Sequence, residues 1–445
     1  MNRSLLIVCA VLVGVAMVTL AYPEGFAAVG IVIIVSLLAI LLFQRFSYEK
    51  EFEFLVNVFL AALLLRLLFG IFIQVYDLRD FFGGDANTYD FRGYLLMKYW
   101  MGDLLATDPS AVFASSTSGP GWGMNYVVAG FYTVFGRNIF AVQSFCAVIG
   151  AATAPMVYFC AKRLFENVSV AKISALCIAF FPAFIIWSAQ LLKDGLIVFL
   201  LVLVMTVVMQ LQTKFSYLSI VILVLSLFCV MSMRFYIFYM VAIAVTGSFL
   251  IGVTNTIESI VRRTVVLVLI GLGLTYFGVS RTATVDLTRF GNLDVLQNSR
   301  LDLSRSAESG YGEDTDVSTS EGALSALPIG FLYLMLAPFP WQINSVRAAI
   351  TLPEVLFWWA TLPVVAYGLW FTIRHRLRKA FPILIFTLML TLAYSIFLGN
   401  VGTSYRQRTQ IQVFLFIFLG VGVTVYKEKK EDRKKRTKRL TSVRI

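Results

Sequence analysis

The run FLVNVFLAALLLRLLFGIFIQVY, residues 54–76, decides the fold. It carries one charge, Arg66, and shows no alternation of apolar and polar positions. A continuous apolar stretch of this length reads as a helix that crosses a bilayer, not as a barrel strand. The chain then turns abruptly polar. Asp77, Asp80, Asp85 and Asp90 follow within one short segment beside Arg79 and Arg92, around the sequence Gly83-Gly84-Asp85-Ala86-Asn87-Thr88-Tyr89-Asp90. A membrane helix thus delivers a cluster of carboxylates to one surface of the bilayer. Carboxylates held there can take a proton or hold a metal where a lipid-linked substrate presents its head group, which points to chemistry more than to transport.

The rest of the 445-residue chain repeats the pattern. Hydrophobic residues make up 59 % and charged residues 14 %, against roughly a quarter charged in soluble domains; the mean hydropathy is +0.82. Backbone groups inside lipid must be paired within the chain, so the expected fold is an all-α polytopic membrane protein. Apolar runs predict about twelve transmembrane helices, at 4–22, 26–44, 54–76, 138–161, 170–189, 194–212, 216–233, 235–253, 264–280, 354–373, 380–398 and 409–426. The first of these could pass for a signal peptide, but it is long for one and another run follows closely, so it reads as a helix that stays.

Alternating these spans puts Arg3, Lys162-Arg163, Lys214, Arg262-Arg263, the basic cluster 374–379 and the tail 427–445 on one side. The positive-inside rule makes that side cytoplasmic, with both termini there and the protein multi-pass in an inner (plasma) membrane. The tail, with ten Lys or Arg between Lys427 and Arg444, reads as a basic cytoplasmic segment; anionic lipid is a compatible partner and nucleic acid is not. Trp122 to Phe135 and Pro328 to Trp341 are too short to cross and read as outer interfacial helices. The outer face then holds loops of about 77–137 and 281–353, the turn Gln190–Gly195 and the turn Gly402–Arg408. The Arg281–Ala326 part, rich in Ser, Thr, Asp, Glu and Gly, reads as a long polar mobile loop.

Chemistry is expected from these outer turns. Asp85 is flanked by glycines that let the backbone approach a ligand, and Tyr89 could pack on or hydrogen-bond a sugar. Lys193 and Asp194 sit at the junction of two apolar runs, where the plainer roles are an anchoring lysine and a helix-capping acid. Arg406 and Arg408, with Arg234, offer forked donors for phosphate oxygens on the side poor in positive charge; the plainer role is interfacial anchoring. The five cysteines lie in or beside apolar runs and read as packing residues. The one histidine, His375, lies in the cytoplasmic basic cluster. No Walker loop, dinucleotide glycine fingerprint or HExxH motif is present.

With these residues in hand, the chain resembles the C-type polytopic membrane glycosyltransferases, the superfamily of the protein O-mannosyltransferases and the lipid A aminoarabinose transferase. Gly84–Tyr89 resembles the acidic motif of the family's first outer loop. Phe135-Gly136-Arg137-Asn138 and Ala161–Phe165 resemble the segment that follows. Phe181-Pro182 through Trp187-Ser188 to Lys193-Asp194-Gly195-Leu196 resembles its second acidic turn, and Tyr405-Arg406-Gln407-Arg408 its late arginine motif. The likeness is clearest over about 54–212. The chain departs from the family in having no outer histidine or DxD pair, so no cofactor is fixed and a divalent metal stays open.

The resemblance implies one transmembrane glycosyltransferase-like domain over 1–426. Its partners would be a polyprenyl-phosphate-linked sugar and a glycan, lipid or protein acceptor, meeting at the extracytoplasmic face. It also implies Asp85 as general base, Asp194 as its assistant, and Arg406 and Arg408 as partners of the donor phosphate. Two other functions stay open. A polysaccharide polymerase or ligase using polyprenyl-diphosphate glycans would rely on Arg234, Arg281, Arg289, Arg406 and Arg408. A lipid or glycan transporter would need a polar path at mid-membrane, where Arg66 is the main charge.

Overall fold

A computed structural model describes residues 3–22, 24–103, 121–253, 256–279, 292–305, 309–312, 315–343 and 345–442. Among them every regular element is helical, and the one β-bridge pairs Gly310 with Asn400. In chain order the helices are α1 (Arg3–Leu20), α2 (Gly25–Phe46), α3 (Glu49–Val75), α4 (Arg79–Gly83), α5 (Asp85–Trp100), α6 (Trp122–Phe135), α7 (Ile139–Phe165), α8 (Val168–Phe180) and α9 (Pro182–Ser188). There follow α10 (Lys193–Thr213), α11 (Tyr217–Met233), α12 (Phe235–Ile251), α13 (Ile257–Tyr276), α14 (Leu293–Arg305), α15 (Ser320–Leu336), α16 (Val346–Phe397) and α17 (Val401–Ser442).

Each of the twelve expected runs is helical, with differences that have physical causes. Among the described residues six helices are long and apolar enough to cross a membrane, or seven if α8 and α9 form one broken span bent by 56°. The bend follows from Pro182, which stands at the first position of α9 and cannot donate to the preceding turn. The runs at 354–373 and 380–398 are one 52-residue helix whose backbone leaves helical geometry at Arg376. The apolar stretch 328–341 belongs to the longer helix α15 and a 3-10 turn at Pro340–Gln342.

Helices α7 and α17 lie at the centre, with 78 % of their apolar windows buried, whereas α2 is peripheral at 22 %. Around this axis α7 packs on α3, α8 and α10, while α17 packs on α16 and α8. Close approaches rely on glycine. A Cβ at Gly368 of α16 would meet the Phe418 carbonyl oxygen of α17 at 1.9 Å.

The one charge in the opening run has a structural partner set. Arg66 is fully buried and donates to Ser188 Oγ at 2.8 Å and to the carbonyls of Ala62 at 2.9 Å and Ala179 at 3.3 Å, with Ile178 and Phe184 carbonyls at 3.4 and 3.5 Å. The break between α8 and α9 leaves carbonyls without helical donors, and the guanidinium supplies them.

Helix α3 ends in a Schellman turn. Leu78 N–H donates to the Ile73 carbonyl at 2.9 Å, and Asp77 takes the left-handed position at φ 47°. This reverses the chain into α4 and α5, so the acidic stretch expected as a loop is helical. Buried Ala86, Tyr89, Asp90, Gly93, Leu96 and Met97 recur at helical spacing and seat α5 on α6. The segment expected as a mobile loop is ordered in its described parts: α14 forms, and Tyr311 N–H donates to the Gly399 carbonyl at 2.8 Å. Arg281 and Arg289 lie outside the described residues.

Candidate active site

Three helix starts meet at one end of the bundle. Asp85 opens α5, Lys193 and Asp194 open α10, and Arg406 lies in the second turn of α17. The positive ends of the α5 and α10 dipoles favour carboxylates in these first turns. Gly84 caps α5 with ordinary helical angles (φ −57°, ψ −14°), a conformation that any residue can adopt.

Arg406 joins the three elements. Its Nη1 donates to Asp85 Oδ2 at 2.7 Å and its Nε to Asp194 Oδ2 at 2.7 Å. Arg234, at the junction of α11 and α12, donates from Nη2 to Asp194 Oδ1 at 2.8 Å and from Nη1 to the Tyr236 hydroxyl at 3.3 Å. The result is a continuous chain Asp85–Arg406–Asp194–Arg234. The Lys193 Nζ lies 5.6 Å from the centre of the Tyr89 ring. Trp187 stacks under the Arg406 guanidinium at 5.5 Å. Burial first, then Asp85 and Asp194, push the Tyr89 hydroxyl well above its ordinary range, so it stays a neutral donor.

The two carboxylates differ in what they can do. The Asp194 side chain is 1 % exposed and both its oxygens are held by arginines. The Asp85 side chain is 54 % exposed and bound at Oδ2. Asp194 is therefore fixed as the anchor of two guanidiniums, while Asp85 is half-exposed. A guanidinium bridges the pair, so these two acids do not present the oxygen cage a divalent metal needs. Among the described residues no three His, Cys, Asp or Glu side chains gather into a potential metal site.

Of the residues singled out from sequence, Asp85, Tyr89, Lys193, Asp194, Arg234 and Arg406 come together and Arg408 does not. Arg408 is fully buried and donates from Nη1 to the carbonyls of Met335 at 3.1 Å and Ala337 at 2.9 Å, with its guanidinium over the Tyr405 ring. The reason is register: α17 begins at Val401, so residues 406 and 408 sit on one helix about 200° apart. Trp187 and Gly121 belong to the site and were not expected there. Gly121, at φ 86°, caps α6 so closely that a Cβ would lie 2.3 Å from Lys193 Nζ. A Gly-Trp pair opening an apolar run was the available signal for it.

A family model described as dolichyl-phosphate-mannose-protein mannosyltransferase matches residues 120–279. That stretch runs from the cap of α6 through α13 and contains Lys193, Asp194 and Arg234; Asp85, Tyr89, Arg406 and Arg408 lie outside it. No curated protein matches the chain in sequence. The match agrees with the resemblance read from the motifs and supports a membrane glycosyltransferase: over residues 120–279 this polytopic helical chain is similar to the dolichyl-phosphate-mannose-protein mannosyltransferases.

Proposed function

We propose that the protein transfers a sugar from a polyprenyl-phosphate donor to an acceptor hydroxyl at the extracytoplasmic face. The observation that carries this reading is Arg406 lying between a half-exposed and a fully buried carboxylate. Transfer forms a bond from the acceptor oxygen to the sugar's anomeric carbon and breaks the bond from that carbon to the phosphate oxygen. The acceptor proton passes to Asp85, and the bonding pair leaves with polyprenyl phosphate. Arg406, with Arg234 and Lys193 nearby, meets the negative charge that grows on the phosphate. Asp194 acts through the arginines as a positioning residue. Tyr89 offers a neutral hydroxyl to the sugar. A site at the bundle end lets the prenyl chain remain in lipid.

The test is transfer in membrane vesicles from a radiolabelled polyprenyl-phosphate hexose. Asp85→Asn is expected to lower turnover by about 10²–10⁴-fold, the range of a general base, while the purified variant keeps its wild-type thermal midpoint. Wild-type turnover in Asp85→Asn would remove the base. Consumption of a polyprenyl-diphosphate glycan in place of the monophosphate donor would replace this reading with the polymerase one.

A further inference from the structure

Helix α5 is a partition between two sites. At about 100° per residue, Asn87 and Asp90 point roughly opposite to Asp85. On their side lies a cavity of about 450 Å³ lined by Glu24, Gln74, Arg79, Asn87, Asp90 and Arg137, among others. Gln74 closes α3, Ile139 opens α7 and Asn87 lies two residues past Asp85, so the cavity shares the bundle end with the cluster.

Its walls are built. Arg137 donates from Nε to Asp90 Oδ1 at 3.2 Å and from Nη2 to Oδ2 at 2.5 Å, and Tyr132 donates to Asp90 Oδ1 at 2.6 Å. The Arg137 guanidinium also lies 4.7 Å from the centre of the Tyr94 ring. Asn87 Nδ2 donates to Asp80 Oδ1 at 2.7 Å. Two buried polar atoms on the wall, Gln74 Oε1 and Arg79 Nε, have no hydrogen-bond partner in the protein. Such atoms cost free energy unless a ligand or water meets them.

A second cavity of about 270 Å³ adjoins the first. The two share Glu24 and Gln74, and the second is otherwise mainly apolar, with Val18, Ile71, Val75 and Phe140 between α1, α3 and α7. The pair therefore has the form of an amphiphile: a polar chamber and an apolar annex. The chamber's two guanidiniums are balanced by two carboxylates, so it does not select an anion such as phosphate. Balanced donors and acceptors with Phe91 on the wall suit a hydroxyl-rich head group, which both donates and accepts.

We propose that the joined cavities bind a glycolipid, its sugar in the polar chamber and the start of its chain in the annex, at a site separated from Asp85 by α5. The binding site does not rest on the transferase reading.

The test uses the full-length protein in nanodiscs and an alkyl diglucoside with a photoreactive group in its chain. Labelling is expected on α1 and α3. Unlabelled alkyl diglucoside should compete at about tenfold lower concentration than free disaccharide or an alkyl phosphate. Gln74→Leu and Val75→Trp should each reduce labelling about fivefold or more. Best competition by alkyl phosphate, or undiminished labelling in both variants, would overturn the site. Equal competition by free disaccharide would overturn its lipid half. Asp85→Asn should label as wild type does. Intact labelling with no transfer from any polyprenyl-phosphate sugar would sink the transferase reading and leave the glycolipid site standing.

Discussion

Arg406 and Arg408 stand two positions apart and do opposite things. One guanidinium bridges two carboxylates; the other fills the carbonyl oxygens of Met335 and Ala337. Arg408→Ala leaves the buried Ala337 carbonyl without its donor, about 1–3 kcal/mol, while the Met335 carbonyl keeps the Trp358 indole N–H at 2.8 Å. The expected outcome is a lower thermal midpoint in detergent, with KM for the donor unchanged in the folded fraction. A variant that kept its midpoint and lost turnover would return Arg408 to the site. Arg406→Lys keeps the charge and loses the fork. It is expected to fold and to lose about 10²-fold in kcat, because one ammonium cannot hold both carboxylates and a phosphate in fixed geometry. From sequence the two arginines looked equivalent, since Gly402–Arg408 read as a turn. The helix start at Val401 separates them, and nothing local in Val-Gly-Thr-Ser announces it: the cap comes from Asn400, whose Oδ1 accepts from Thr403 N–H at 3.1 Å.

At the scale of elements, the broken pair α8–α9 is the feature on which the site's second acid depends. It aims Ser188 at Arg66 and delivers the chain to the start of α10 at Lys193. Gly150 and Gly195 make room for it: a Cβ would meet Ser188 Cβ at 2.3 Å from the first and 2.6 Å from the second. Gly150→Ala is expected to destabilise the protein by about 1–3 kcal/mol through overpacking, read as a lower midpoint of thermal unfolding. Arg66→Leu should act in the same direction, because the carbonyls of Ala179 and Ile178 lose their donor. A wild-type midpoint in both would mean that the break holds without its buried clamp. The sequence marked Arg66 as the charge out of place, whereas 170–189 read as one span with no break at Pro182. It could not show that one answers the other, since their partners lie more than a hundred residues apart.

Across the whole molecule, hydrophobic runs located the helices because lipid imposes one rule on every segment. Composition was a weaker guide outside them. The Arg281–Ala326 segment looked mobile, yet Tyr311 stacks on Tyr333 with ring centres 4.1 Å apart and its hydroxyl hydrogen-bonds Ser404, 3.1 Å away. That docking is long-range and leaves no local pattern. Sidedness has a direct check in single-cysteine proteins lacking the native five: Asp77→Cys should react with an impermeant maleimide in intact cells, and Glu428→Cys only after permeabilisation. Reaction of both from the same side would remove the extracytoplasmic placement. The bridge made by Arg406 also has a consequence for biogenesis. It reaches back 212 residues to Asp194 and 321 to Asp85. Ribosomes release the amino-terminal helices first, so both acids are threaded into the bilayer long before their cation is made. A nascent chain stalled at residue 397 should be recognised as unfinished by membrane quality control and degraded, and co-expressing α17 as a separate peptide should rescue it.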